Sequence, residues 1–189
     1  MAMNKEVQQN SIFVVTGKIH GGKTGYLAEL VTLLSNRGLK IGGFLCPGSF
    51  SSGERTEFRL KNIESGMEVA MASSKETASW FRYRRFWFNP DAFKLGQEWI
   101  TSSFSMDPDV MVIDEVGPME LEGKGWNESL DLLQDSLLPL QLWNVRELLL
   151  WEVVERWGIP TERVIHIDRM EACKAAELIN EHVQYLRKS

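Results

Sequence analysis

The sequence predicts an α/β protein: a mostly parallel sheet with helices on both faces and an inserted β-hairpin. Three observations carry that reading. The run SIFVVT (11–16) is β-branched and aromatic, as a buried strand would be. After a glycine cluster, Tyr26, Leu27, Leu30, Val31 and Leu34 recur at helical spacing, so a strand, a loop and a helix follow one another. Further on, DVMVID (109–114) is a second short apolar run, and strand-like and helix-like stretches alternate to the end of the chain. That alternation is what parallel strands joined by crossover helices require.

Taken in order, Asn36-Arg37-Gly38 ends the first helix, and LKIGGFLC (39–46) is the second strand. ERTEFRLKN (54–62) and GMEVAMAS (66–73) form the hairpin, and RYRRFWF (82–88) is a further strand before a helix over 90–103. A helix near 124–137 and the apolar LPLQLW (138–143) follow DVMVID. RELLLWEVVERWG (146–158) is helical, RVIHID (163–168) is a strand, and a final packing helix spans 170–187. The chain 1–189 reads as one domain, with the polar residues 1–10 as a flexible tail.

Composition narrows the class. With 43% hydrophobic and 25% charged residues, the chain can bury an ordinary globular core. A net charge of −5 argues against a broad nucleic-acid or anionic-membrane surface. No apolar run approaches the ~20 residues that cross a bilayer. The opening MAMNKEVQQN lacks the apolar core of a signal peptide. Cys46 and Cys173 make no C-x-x-C pair and read as two small buried residues, so a cytoplasmic setting is expected.

GKIHGGKT (17–24) lies between the first strand and the first helix and fits G-x-x-x-x-G-K-[ST], the phosphate-loop pattern. In such a loop glycines let backbone N–H groups turn inward around a polyphosphate, and the following helix aims its positive end at the same anion. Gly17, Lys18, Ile19, His20, Gly21, Gly22, Lys23, Thr24 and Gly25 are therefore the expected nucleotide-binding set. Lys23 reaches the β- and γ-phosphates, and the Thr24 hydroxyl holds Mg²⁺. The bland alternative is a glycine turn. Against it stands DVMVIDEVGPMELEG (109–123), where four apolar residues lead to Asp114 and Glu115 at the carboxyl end of a strand. A magnesium–triphosphate site needs a carboxylate there, so Asp114 is the second metal-site residue. Glu115 is placed to orient or deprotonate the attacking water.

These stretches, together with GGFLCPGSFSSGERTEFRL (42–60), resemble the THEP-type nucleoside-triphosphatases, small P-loop enzymes. The resemblance covers roughly 11–122 and continues loosely to about 168; DEVGPME is its most specific piece. It implies a RecA-like sheet and Mg²⁺-dependent hydrolysis of nucleoside triphosphates with loose base preference. By the same resemblance Arg55 is the hairpin arginine and Glu120 the acid after the Gly-x-Met turn. Lys23, Glu115 and Arg55 are thus the catalytic candidates. The chain departs from the family at three points: Ile19-His20 replaces Pro-Gly, Gly25 replaces a second threonine, and Glu57 replaces a glycine.

Other residues carry weaker expectations. Arg55 and Arg59 alternate with Thr56 and Phe58, so both can share one face of the hairpin. WFRYRRFWF (80–88) mixes three arginines with six aromatics and is a candidate contact for a protein partner or a nucleic acid. Read as one strand, it puts Phe81, Tyr83, Arg85 and Trp87 on one face. Trp151 is expected in the core, His166 as a satisfied structural histidine and His182 at the surface. The primary expectation is a triphosphatase. Its alternatives are a nucleotide-gated accessory protein with slow or no hydrolysis, and a kinase-like phosphotransferase.

Overall fold

The computed structural model describes residues 11–18, 21–134 and 140–188. The tail 1–10 and the loop residues Ile19 and His20 lie outside the described residues. In chain order the elements are β1 (Ile12–Gly17), α1 (Lys23–Ser35), β2 (Ile41–Leu45), β3 (Gly48–Ser51), β4 (Glu54–Asn62), β5 (Glu68–Ser73), β6 (Phe81–Tyr83) and β7 (Phe86–Phe88). There follow α2 (Pro90–Phe104), β8 (Val110–Val116), α3 (Pro118–Leu121), α4 (Asn127–Gln134), β9 (Gln141–Arg146), α5 (Leu150–Arg156), β10 (Val164–His166) and α6 (Ala172–Leu186).

One ten-stranded sheet runs through the molecule in the order β10-β1-β9-β8-β2-β4-β5-β7-β6, with β3 paired to β4. Its first five strands pair in parallel. The remainder is an antiparallel extension built by the segment between β2 and α2. The expected hairpin is β4–β5; the inserted segment also carries β3 and the short pair β6–β7.

β1 shows why the parallel half lies inside. Ile12 and Val14 point to one core, Phe13 and Val15 to the other, and all four are at most 3% exposed. A strand buried on both faces has no polar alternation, which is how IFVV reads. On one face α1 packs Leu27, Leu30 and Leu34, in company with Ala175, Ile179 and Val183 of α6. On the other, α2, α4 and α5 bring Trp99, Ile100, Leu130, Leu133, Leu150 and Val153. Each such leucine or isoleucine contributes about 1.5–3 kcal/mol relative to an exposed one. α2 begins cleanly because Asn89 accepts from the Asp91 N–H at 3.0 Å and Pro90 needs no partner.

Several expectations change. The stretch 82–88 is not one strand: Arg84 adopts φ 54° and the chain folds back, pairing Tyr83 with Phe86 and Arg82 with Trp87. The predicted faces therefore dissolve, and Phe81 lies stacked near Phe88 at 5.9 Å. A bulge between Phe58 and Arg59 likewise separates the two hairpin arginines, and Arg59 pairs with Glu68 in solvent. Trp151 is 65% exposed, because Leu150, Val153 and Trp157 already form the buried stripe and Trp151 sits a third of a turn away. Cys173 is exposed while Cys46 is buried. His182 is half-buried, edge-on against Phe13, and His166 Nδ1 finds no partner among the described residues.

Gly43 is a position where only glycine fits. Its φ is +98°, and a Cβ there would press into the backbone of Val112 on the neighbouring strand. Backbone cannot rotate away as a side chain can. Gly43→Ala is expected to destabilise the fold by about 3 kcal/mol or more, read as the urea midpoint. A loss under 1 kcal/mol would show that β2 and β8 can part locally at this level.

Candidate nucleotide site

The carboxyl ends of β1, β8 and β9 meet the start of α1 above the parallel half of the sheet. Gly17, at the end of β1, has no room for a side chain, since a Cβ would stand 2.7 Å from Ile167. Gly21 is held tightly as well: its N–H donates to the Lys18 carbonyl at 3.0 Å, and a Cβ would come within 2.9 Å of that oxygen. Gly22, at φ +82°, turns the chain into α1, which begins at Lys23. Gly25 lies exposed, with open space where a side chain would project. Lys23 Nζ donates to the carbonyls of Gly17 at 3.1 Å and Lys18 at 2.9 Å, so the end of β1 and the residue after it supply the partners of its ammonium group. Burial holds the Lys23 pKa below its usual value, with Glu115 opposing that shift.

Asp114 is fully buried. Its Oδ2 accepts from the Cys46 N–H at 2.7 Å, its Oδ1 accepts from Asn144 Nδ2 at 2.5 Å, and the Thr24 hydroxyl hydrogen-bonds to the same carboxyl group. Burial, and then the charge of Glu115, push its pKa up to about 6 despite those bonds. Asn144 Oδ1 is buried beside it with no hydrogen-bond partner among the described residues. Carboxylate and hydroxyl oxygens in this arrangement are the ligands a hard divalent cation takes, and an added positive charge would offset the desolvation of Asp114.

Glu115 sits next along β8, and strict alternation would turn it away from Asp114. The register between β8 and β9 shifts between Ile113 and Val116, and Glu115 takes φ 68°, a conformation side chains rarely adopt. The bulge aims its carboxylate into the cleft, between two arginines. Arg55 Nη1 donates to Oε1 at 2.6 Å, and Arg146 Nη2 donates to Oε2 at 3.3 Å. Arg55 reaches it from β4 across the Phe58 ring, 4.3 Å from the guanidinium carbon. Gly48 leaves the passage open, for a Cβ there would fall 2.8 Å from that carbon. Lys23, Arg55 and Arg146 thus face Asp114 and Glu115, three cations to two carboxylates. Lys23, Arg55, Glu115 and Arg146, together with Gly21–Gly25 and Phe50, border a cleft of about 850 Å³, with Asp114 buried behind it.

The structure therefore brings Gly17, Gly21, Gly22, Lys23, Thr24, Gly25, Arg55, Asp114 and Glu115 to one end of the sheet, with Lys18 beside them. Glu57 is exposed on β4 and is not among the residues lining the cleft. Sequence reasoning missed Asn144 and Arg146. Their trace is visible in QLWNVR, where two polar residues at i and i+2 interrupt an otherwise buried strand.

A strand, a glycine loop closing on the first turn of a helix, and an acidic pair on a strand one removed from it define a P-loop nucleoside-triphosphatase. Residues 12–140 match the model of the NTPase family, and the chain belongs to that family. It is similar to the nucleoside-triphosphatase THEP1 of Saccharolobus solfataricus, 30% identical over 71% of this chain and 77% of the relative. The THEP1 of Sulfolobus acidocaldarius is 31% identical over 67% of this chain and 72% of that one. In fold it is similar to the crystal structure of THEP1 from Aquifex aeolicus, with a TM-score of 0.63 at 17% identity, covering 93% of this chain and 98% of the other. A human cancer-related nucleoside triphosphatase in solution gives the same TM-score over 94% and 97%. These likenesses agree with the fold expected from the sequence, a P-loop sheet with helices on both faces.

Glu120, matched to the acid after the Gly-x-Met turn, does not reach the loop. It caps α3, accepting from the Gly117 N–H at 2.8 Å and the Trp126 N–H at 3.0 Å, at 3% exposure. Burial raises its pKa from 4.5 to about 7. Below pH 4.5 both folded and unfolded forms hold the proton; between 4.5 and 7 the unfolded chain releases it first, so this group makes stability fall as pH rises. A carbon-13 titration of Glu120 is expected to have its midpoint near pH 7, and Glu120→Gln to flatten the stability profile over that window. The variant also sets an amide NH₂ against one of the two N–H groups, at about 1–3 kcal/mol. A midpoint near 4.5 would refute the burial account.

Proposed function

We propose that the chain hydrolyses nucleoside triphosphates to the diphosphate and phosphate at this cleft, with loose base preference. The observation that carries the mechanism is the bulge at Glu115, which spends backbone strain to hold one carboxylate at the mouth of the loop. Loop N–H groups and the α1 terminus bind the phosphate chain. Lys23 gives up the carbonyls of Gly17 and Lys18 for β- and γ-phosphate oxygens. Asp114 and Thr24 would hold Mg²⁺, which supplies charge neutralisation at those oxygens. Arg55 and Arg146 lie within reach of the transferring group, and drawing them toward phosphate frees Glu115 to accept a proton from the attacking water.

One observation favours a second reading, a nucleotide-gated accessory protein with slow turnover: Lys23 and Glu115 are both already engaged by the protein itself. Phosphate release from ATP and GTP separates the two. Glu115→Gln is expected to lower release at least ~100-fold while nucleotide still binds. Tight binding without release from the native protein would sink the hydrolase reading. At Gly25 a threonine hydroxyl has room, and Gly25→Thr is expected to tighten nucleotide binding by about 2–10-fold, the worth of one hydrogen bond. Unchanged affinity by calorimetry would place position 25 outside reach of the phosphates.

A further inference from the structure

Beside the loop cleft lies a second cavity, of about 320 Å³, whose aromatic body hydrolysis does not use. That volume is at the lower end of small-ligand pockets. Its body is aromatic: Phe86, Phe88, Phe93 and Trp126 contribute rings, with Phe93 and Trp126 only 4.8 Å apart. Half of the aromatic-arginine stretch singled out in the sequence is thereby accounted for, since the β6–β7 hairpin folds Phe86 and Phe88 inward and leaves Arg84 and Arg85 at the rim. Glu115 and Arg146 border this cavity and the loop cleft alike. Lys23 and Thr24 line the loop cleft and not this cavity, so a triphosphate whose β- and γ-phosphates meet Lys23 would present its γ-phosphate end, at Glu115, to the cavity.

Its charge selects the kind of molecule. Each arginine of the rim already has a carboxylate near it: Arg84 lies 3.9 Å from Glu122, Arg85 lies 3.8 Å from Glu54, and Arg146 lies 3.3 Å from Glu115. Glu115 adds acceptor oxygens, while those of the buried Glu120 are already taken by the Gly117 and Trp126 N–H groups. Flat rings beside carboxylates suit a neutral aromatic body with a hydroxyl group better than an anion.

We propose that this cavity is a phosphoryl-acceptor site for a neutral, hydroxyl-bearing aromatic molecule of nucleoside size, and that the protein transfers the γ-phosphoryl group to it. The inference rests on Glu115 activating the nucleophile, and it replaces water with the acceptor hydroxyl. The hydroxyl oxygen bonds to the γ-phosphorus as the bond from that phosphorus to the β–γ bridging oxygen breaks. Glu115 takes the hydroxyl proton, and the products are a nucleoside diphosphate and a phosphate monoester.

The test incubates the full chain and Mg²⁺ with ATP labelled at the γ-phosphorus, adding adenosine, guanosine, cytidine or thymidine in turn and, in separate reactions, their 5′-monophosphates. Labelled nucleoside monophosphate is the expected result. Phe93→Trp fills the cavity and Phe88→Ala removes one of its rings. Either is expected to lower the ratio of labelled acceptor to free phosphate by about tenfold, so one suffices if the other does not fold. Steady phosphate release with no labelled acceptor overturns the transfer and leaves the hydrolase reading standing. Label on added nucleoside monophosphates but not on nucleosides overturns the neutral acceptor. Neither release nor label overturns both readings together.

Discussion

Much of the site hangs on one buried carboxylate. Asp114 sits with no exposure at the tip of β8 and gathers a backbone N–H from the end of β2, an amide from β9 and a hydroxyl from the first turn of α1. An unpaired carboxylate in that position would cost several kcal/mol, so the four elements are held in one register by its need for partners. Those bonds favour its charged form, but burial and then the neighbouring charge of Glu115 outweigh them and hold its pKa near 6. The group that fixes the framework is also the one that a cation would most relieve.

Around it the charges are mutually arrested. Glu115 lies between Arg55 and Arg146, Lys23 folds onto loop carbonyls, and the cleft presents no isolated charge among these residues. A polyphosphate entering such a place exchanges partners; it does not fill a prepared vacuum. Low-dielectric walls such as Phe50 and Phe58 strengthen each of those exchanges.

How much of this was legible in the sequence depended on how local the cause was. The loop and the DVMVIDE strand could be read because glycine spacing and uninterrupted apolar runs are local signatures, and Asp114 follows from its place in the strand. Arg146 and Asn144 stayed hidden because their role depends on β9 lying between β1 and β8, a pairing that local sequence does not encode. The turn at Arg84 was missed since arginine carries no preference for φ 54°; the rings on either side, seated in a shared pocket, impose it. Trp151 defeats the general tendency of tryptophan to be buried, because the neighbouring apolar residues show no clean stripe in the sequence and the buried one is filled by Leu150, Val153 and Trp157. Glu120 was found by resemblance, but its capping bonds depend on where Trp126 returns in space.

The two outermost strands of the sheet, β6 and β10, are each three residues long. A ten-stranded sheet with long free margins would be a template for pairing with a second molecule, since every unpaired N–H and C=O along an edge invites another strand. Here each margin offers only a few such groups before the chain turns away. The extension that supplies Arg55 widens the sheet, and its truncated last strand keeps that width from becoming a route to aggregation.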